Sequence, residues 1–255
     1  MARIHVYAVN CNERELMPLF MSHYRDFVRA EKISVHYDDS STDGSEQLAR
    51  ELGAEIVHHE RARSAAGEVA LDDNYLRDLR STFWHPSRGQ ADWIIVVDID
   101  ELIIHPQLHK LLDSAPPEVQ VLQPQGWELV GDWPPAGKQA WQAVRRGIPQ
   151  PYCSKPCVFR PSINMQFAIG SHDATPMRDG KIVPIHEAPQ LKLLHCSYLG
   201  LDYLLRRYAM RRARAMSDMN QKMGWGAHWR SSDDELRRRW DEVNRDAVDI
   251  PDLPR

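Results

Sequence analysis

Through the first 105 positions, short apolar runs alternate with polar stretches, and the period of each run separates strand from helix. Ile4 to Val9 reads as a buried strand. From Glu13 to Arg29, Leu16, Leu19, Phe20, Tyr24 and Phe27 recur at helical spacing. Ile33 to Tyr37 predicts a second strand, closed by the polar cluster DDSSTDGS at Asp38 to Ser45. That cluster opens another helix, with Ser41 or Thr42 as its cap, and Gly53 ends it before a third strand at Ala54 to His58. A polar helical stretch, Leu71 to Phe83, then leads through HPSRGQAD to the apolar run WIIVVDIDELI, Trp93 to Ile103. Strands alternating with helices predict an α/β fold: a mostly parallel, Rossmann-like central sheet flanked by helices, with ligands at the carboxyl ends of the strands.

Beyond this point the pattern changes. Leu108 to Asp113 reads as a brief helix, and Ala115 to Pro161 is rich in Pro, Gly and Trp, which predicts short strands and a long surround to an active site. Leu201 to Ala215 is an amphipathic helix, apolar at Leu201, Leu204, Leu205 and Tyr208. Ser232 to Glu235 forms a capping box that begins a last helix through Val243.

Composition narrows the class. The 255 residues are 42% hydrophobic, enough for a globular core, and the formal net charge of −4 gives no reason to expect nucleic-acid binding. No apolar run reaches the roughly 18 residues of a membrane span, and MARIHVYAVNCNEREL enters a strand pattern without a cleavable signal, which predicts a cytoplasmic chain. Cys11, Cys153, Cys157 and Cys196 do not suggest a disulfide framework. Cys153 and Cys157 form a C-x3-C, but no second pair of ligand spacing follows it.

The candidate chemistry lies at two predicted strand ends, Asp38/Asp39 and Asp98/Asp100/Glu101. Residues i and i+2 of a strand share a face, so Asp98 and Asp100 are expected to address one ligand while Ile99 points into the core. Unpaired, the two carboxylates would raise each other's pKa, and a divalent cation relieves that conflict.

NCNEREL (Asn10 to Leu16), YDDSSTDGS (Tyr37 to Ser45) and DWIIVVDIDELI (Asp92 to Ile103) together resemble the family 2-like glycosyltransferases of the GT-A fold. The resemblance covers about the first 105 residues and continues weakly through KLLHCSYLGLDYLLRR; Ser40 departs from the family's pattern by standing where it has Gly. It implies a nucleotide-diphosphate sugar donor, a glycan or lipid-linked acceptor in cell-surface polysaccharide synthesis, and Mn²⁺ or Mg²⁺ as cofactor. Residue by residue, it implies nucleotide contacts from Val9, Asn10, Asp38, Asp39 and Asp98. Asp98 and Asp100 would belong to the metal shell, Glu101 would orient the loop or bind a group nearby, and His195 at a late strand end would close the metal site. Residues 1–200 form the expected catalytic domain, with 201–255 as a helical extension packed on it.

Other assignments rest on position. His172, in a tight turn, is a candidate for the metal or the acceptor; Asp173 and Glu187, in Pro-punctuated loops, are candidates for the general base. Lys155 and Arg160 are weaker phosphate candidates, and Asn74 and Arg80 are placed to approach the base. The arginines of 206–214 and 237–239 read either as a solvated face balancing Asp233, Asp234 and Glu235, or as a cationic rim for diphosphate, an anionic glycan or a membrane surface. Two other functions compete. A haloacid-dehalogenase-like phosphohydrolase also places D-x-D after an apolar strand, but expects a small pair where Glu101 and Leu102 stand and leaves STDGS without a role. A non-catalytic sugar-nucleotide-binding protein would keep the fold without the transfer.

Overall fold

The structure is a computed structural model that describes residues 1–37, 40–60 and 70–254. Its strands are β1 (Ile4–Asn10), β2 (Lys32–Tyr37), β3 (Glu55–His58), β4 (Trp93–Asp98), β5 (Glu101–Ile104), β6 (Val121–Gly131), β7 (Arg146–Pro149), β8 (Val158–Phe159), β9 (Asn164–Phe167), β10 (Ala174–Arg178), β11 (Lys181–Ile182), β12 (Ile185–Leu199) and β13 (Val248–Asp249). The α-helices are α1 (Met17–Ser22), α2 (Ser45–Glu51), α3 (Asp73–Thr82), α4 (Leu108–Asp113), α5 (Ala140–Ala143), α6 (Leu201–Arg212), α7 (Asp218–Met223) and α8 (Asp233–Asp246).

The chain is an α/β protein whose central sheet is flanked by helices. Strands β3, β2, β1 and β4 lie side by side and parallel, and antiparallel β8 joins them to β6, β7 and β13. β12 pairs with β6 in parallel and with β5 antiparallel, and β9, β10 and β11 form a separate small sheet. The two-residue period of β4 explains why it is buried on both sides. Trp93, Ile95 and Val97 enter one core cluster, while Ile94 and Val96 enter another with Tyr7, Trp84 and Phe159.

The observed boundaries differ from the sequence pattern where local chemistry intervenes. The first helix begins at Met17, not Glu13, with Pro18 tolerated in its first turn, and continues as a π-helical turn over His23–Phe27. The second helix is not capped by Ser41 or Thr42. Asn12 Oδ1 instead accepts the Thr42 and Asp43 amides, Asp43 accepts that of Ser45, and left-handed Gly44 occupies the cap position. Asp72 caps α3 by accepting from the Tyr75 amide. The acidic run is not one strand: β4 ends at Asp98, Ile99 and Asp100 form a turn, and Glu101 begins β5.

The end of the chain is tied into this core. Tyr198, Leu204, Tyr208, Leu236 and Ala247 share a cluster with Val130 of β6, and β13 extends the sheet at β7. No helix among the described residues is long and apolar enough to cross a membrane.

Candidate active site

Sheet register brings most of the expected residues to one end of the sheet. Val9 lies opposite Asp98 across β1 and β4, and Asn10 lies opposite Tyr37 across β1 and β2. Asn10 is fully buried; its Nδ2 donates to Ser45 Oγ at 2.9 Å, while its Oδ1 has no hydrogen-bond partner among the described residues. Asp38 and Asp39, which follow β2, lie outside the described residues. A cleft of about 370 Å³ opens at the start of α2, lined by Ser41, Thr42 and Arg50 among others. On the other side, Glu101, His195 and Glu128 are register partners across β5, β12 and β6.

The acids are compensated by cations of the chain itself. Arg80, from α3, reaches Asp98 at 2.5 Å, and Lys155 Nζ lies 2.6 Å from Glu101 and 3.9 Å from Asp98. Glu101 also accepts the Asp98 amide at 2.8 Å, so it braces the turn that carries the motif. Arg207, from α6, stands between Asp100 at 2.7 Å and Glu13 at 2.6 Å. Because the strand breaks after Asp98, the two aspartates take different partners: Asp98 the Arg80/Lys155 side, Asp100 the Arg207/His195 side.

These contacts fix the protonation states. Burial pushes the Asp98 carboxyl upward, but Arg80 and then Lys155 outweigh it and hold the group below its ordinary value. Burial likewise opposes the charge on Asp100, and Arg207 followed by His195 holds it well below the carboxylate range. His195 donates from Nδ1 to Glu128 Oε2 at 2.7 Å and from Nε2 to Asp100 Oδ2 at 2.9 Å. Against the effect of burial, Glu128 and Asp100 keep its imidazole well above the ordinary histidine value, so it is an imidazolium with both nitrogens donating. Glu128 in turn accepts the Ser197 amide at 3.1 Å, which fixes its carboxylate.

The remaining candidates divide. His172 is exposed and shares a 2.8 Å hydrogen bond with the Tyr152 carbonyl, which leans its loop on the turn Pro151–Cys153 next to the site; exposed Asp173 follows on that loop. Glu187 lies eight residues before His195 on β12, but an irregularity between Ala188 and Lys192 leaves their partners on β6, Gln123 and Glu128, five residues apart; at roughly 16–17 Å it is not brought to the acidic tip. Asn74 accepts from Arg77 on its own helix. Arg160 donates to the Val119 and Ala115 carbonyls and stacks 4.4 Å from Trp93, lining a separate cleft of about 500 Å³ at the amino end of β4.

Among the arginines of 206–214, Arg207 leaves the solvated face that was one reading of the sequence, while exposed Arg206 and Arg212, paired with Asp233, remain on it. Arg207 is 2% exposed. Arg206 pairs with Glu15 at 2.8 Å, Arg211 lies 3.5 Å from Glu13, and Arg212 pairs with Asp233. Glu13, Glu128 and Ser197 were not foreseen at the site; Arg207 was offered only as part of a cationic rim and Cys153 only as half of a C-x3-C.

No protein-family model matches the chain, and no curated protein matches it in sequence. Solved structures that resemble it include glucosyl-3-phosphoglycerate synthase from Mycobacterium tuberculosis in complex with Mg²⁺ and UDP, at 17% identity and a TM-score of 0.34. That match covers 49% of this chain and 44% of the synthase. The same synthase with Mn²⁺, UDP-glucose and phosphoglyceric acid gives 17% identity and a TM-score of 0.33 over the same shares. A mycobacterial protein gives 19% and 0.33, over 50% of this chain and 41% of that one. This chain thus spans less than half the length of each.

Proposed function

We propose that the chain is a divalent-cation-dependent glycosyltransferase, moving a sugar from a nucleoside-diphosphate donor to a glycan or lipid-linked acceptor. The observation that carries this reading is the convergence of the carboxyl ends of β1, β2 and β4, with Asn10, Asp98 and Asp100 at one edge of a parallel sheet. Such an edge is where open α/β sheets bind ligands. In this reading Asp98, held ionised by Arg80 and Lys155, accepts hydrogen bonds from ribose hydroxyls. The orphaned Oδ1 of Asn10 takes a donor from the base.

The donor set at Asp100 suits Mn²⁺ or Mg²⁺: a carboxylate and an imidazole nitrogen 2.9 Å apart, with the rest of the shell left to water and diphosphate. The fit carries one condition. The Nε2 proton and the Arg207 guanidinium both contact Asp100 Oδ2, so both must give way on that oxygen. When bound, the ion offsets the charge that develops on the departing diphosphate. The chain supplies the rest. Glu128 keeps the proton on Nδ1, so that the lone pair freed when Nε2 gives up its hydrogen is the one beside Asp100. Arg207, withdrawn from Oδ2, stays beside the site as a cation held by Glu13. Asp173, on the loop that leans against the site, takes the proton of the acceptor hydroxyl.

The test is thermal unfolding with UDP, GDP, CDP and dTDP, each with and without Mn²⁺. At a hundredfold excess over Kd, one diphosphate should stabilise the chain by about 2.7 kcal/mol, or roughly 5–10 °C, only when Mn²⁺ is present. Absence of any diphosphate-dependent shift with the metal would refute the proposal.

A further inference from the structure

In the proposed function only the Nε2 side of His195 serves a cation. Its Nδ1 faces Glu128, and Glu128, Cys153 and His195 each bring a ligand atom within 4.8 Å of the others. Three separate elements create this juxtaposition. Glu128 and His195 are register partners across β6 and β12. Cys153 ends the turn Pro151–Cys153, which packs directly on β6 at Gly126. A Cβ there would stand 2.6 Å from the Cys153 Cβ and 2.4 Å from its carbonyl carbon, so the approach depends on glycine. Cys153 is buried and forms no disulfide with a described residue.

We propose that Cys153 Sγ, His195 Nδ1 and a Glu128 oxygen form a second metal site, for a thiophilic divalent ion such as Zn²⁺, and that filling it shuts the Nε2 cation site. The second clause rests on the function proposed above; the first does not. The donors are those of zinc, with one each of sulfur, nitrogen and oxygen, and three protein ligands leave a fourth position for water. Bonds of about 2.0–2.3 Å at tetrahedral angles separate ligand atoms by roughly 3.3–3.8 Å. Glu128 and His195, now 2.7 Å apart, therefore open by a fraction of an ångström while the thiol closes by at most about 1 Å. The turn that carries Cys153 has exposed Pro151 and Tyr152 beside it, which lets it make that movement. Mn²⁺ and Mg²⁺ prefer oxygen and imidazole ligands and do not select the thiolate.

The proton balance accounts for the exclusion. Metal binding displaces the thiol proton and the Nδ1 proton, and both go to solvent. Nε2 then retains its hydrogen and keeps donating to Asp100 at 2.9 Å, so it has no lone pair for a second ion.

The probe is Co²⁺ added to the full-length, metal-free chain. A thiolate-to-cobalt charge-transfer band should appear in the wild type, vanish in Cys153→Ser and in Cys153→Ala, and persist in Cys157→Ser. Zn²⁺ affinity by calorimetry should drop roughly tenfold or more in Cys153→Ser, while Mn²⁺ affinity stays within about twofold. Saturating Zn²⁺ should abolish Mn²⁺ binding as read by electron paramagnetic resonance. A band that is absent in the wild type, or that survives in both Cys153 variants, overturns the site; simultaneous Zn²⁺ and Mn²⁺ occupancy overturns the exclusion. A Cys153-dependent band without any Mn²⁺ binding would uphold the zinc site while removing the transferase reading, and Mn²⁺ binding with no band would do the reverse.

Discussion

Replacing Arg207 with methionine removes the cation that Asp100 and Glu13 share. The guanidinium is 2% exposed, and the side chains of Asp100 and Glu13 are 5% and 13% exposed, so solvent replaces little of the lost interaction. Removing one partner of a buried pair costs about 3–5 kcal/mol. Here each carboxylate keeps a second partner, His195 at 2.9 Å from Asp100 and Arg211 at 3.5 Å from Glu13. The lower end applies, about 3 kcal/mol, which for a chain of this size corresponds to a fall of roughly 6–12 °C in Tm. Thermal and urea unfolding, followed by circular dichroism without metal, read this directly. Adding Asp100→Asn should recover on the order of 1 kcal/mol relative to the sum of the single changes, because the orphaned charge is then gone. A Tm within about 2 °C of wild type in Arg207→Met, or strict additivity in the double variant, would refute the view that this arginine compensates Asp100.

Other consequences are equally direct. Gly126→Ala places a Cβ against the Cys153 backbone and should cost about 1–3 kcal/mol in urea unfolding, and it should weaken the cobalt band by displacing the turn. His23 is fully buried; burial lowers its pKa to about 4, despite the opposing hydrogen bond to the Ile103 carbonyl. As pH falls below about 6.5 the unfolded chain takes up a proton that the folded chain refuses, so stability drops until about pH 4. Between pH 7 and pH 5 this component is about 2 kcal/mol, and His23→Gln should flatten the urea-derived pH profile by that amount. Glu128→Gln leaves one acceptor oxygen for both the Ser197 amide and the His195 ring, so Mn²⁺ affinity should fall roughly 10–100-fold in a metal titration.

Much of the fold was legible because its signals are local. The apolar runs of β1, β2 and β4, the S-x-x-E box at Ser232 and the length of α4 follow from period and capping within a few residues. The acidic tip was legible for the same reason. Its electrostatic environment was not: Arg80, Lys155, Arg207, His195 and Glu128 come from five different segments, and nothing in their spacing announces that they meet. The C-x3-C spacing likewise pointed from Cys153 to Cys157, whereas the partners of Cys153 arrive from β6 and β12. The break after Asp98 was hidden because the apolar pattern runs on through Ile99, which stays in the core while the backbone turns.

The central claim is that Asp100 holds a divalent ion for a nucleoside-diphosphate sugar. A crystal grown with Mn²⁺ and the diphosphate selected by thermal shift, measured for manganese anomalous scattering, tests it most directly. The account predicts one peak within bonding distance of the Asp100 carboxylate and His195 Nε2, shared with the diphosphate, with Arg207 withdrawn from the coordinating oxygen. A peak elsewhere, or a diphosphate bound with Asp100 still paired to Arg207 and His195 as in the metal-free chain, would contradict it.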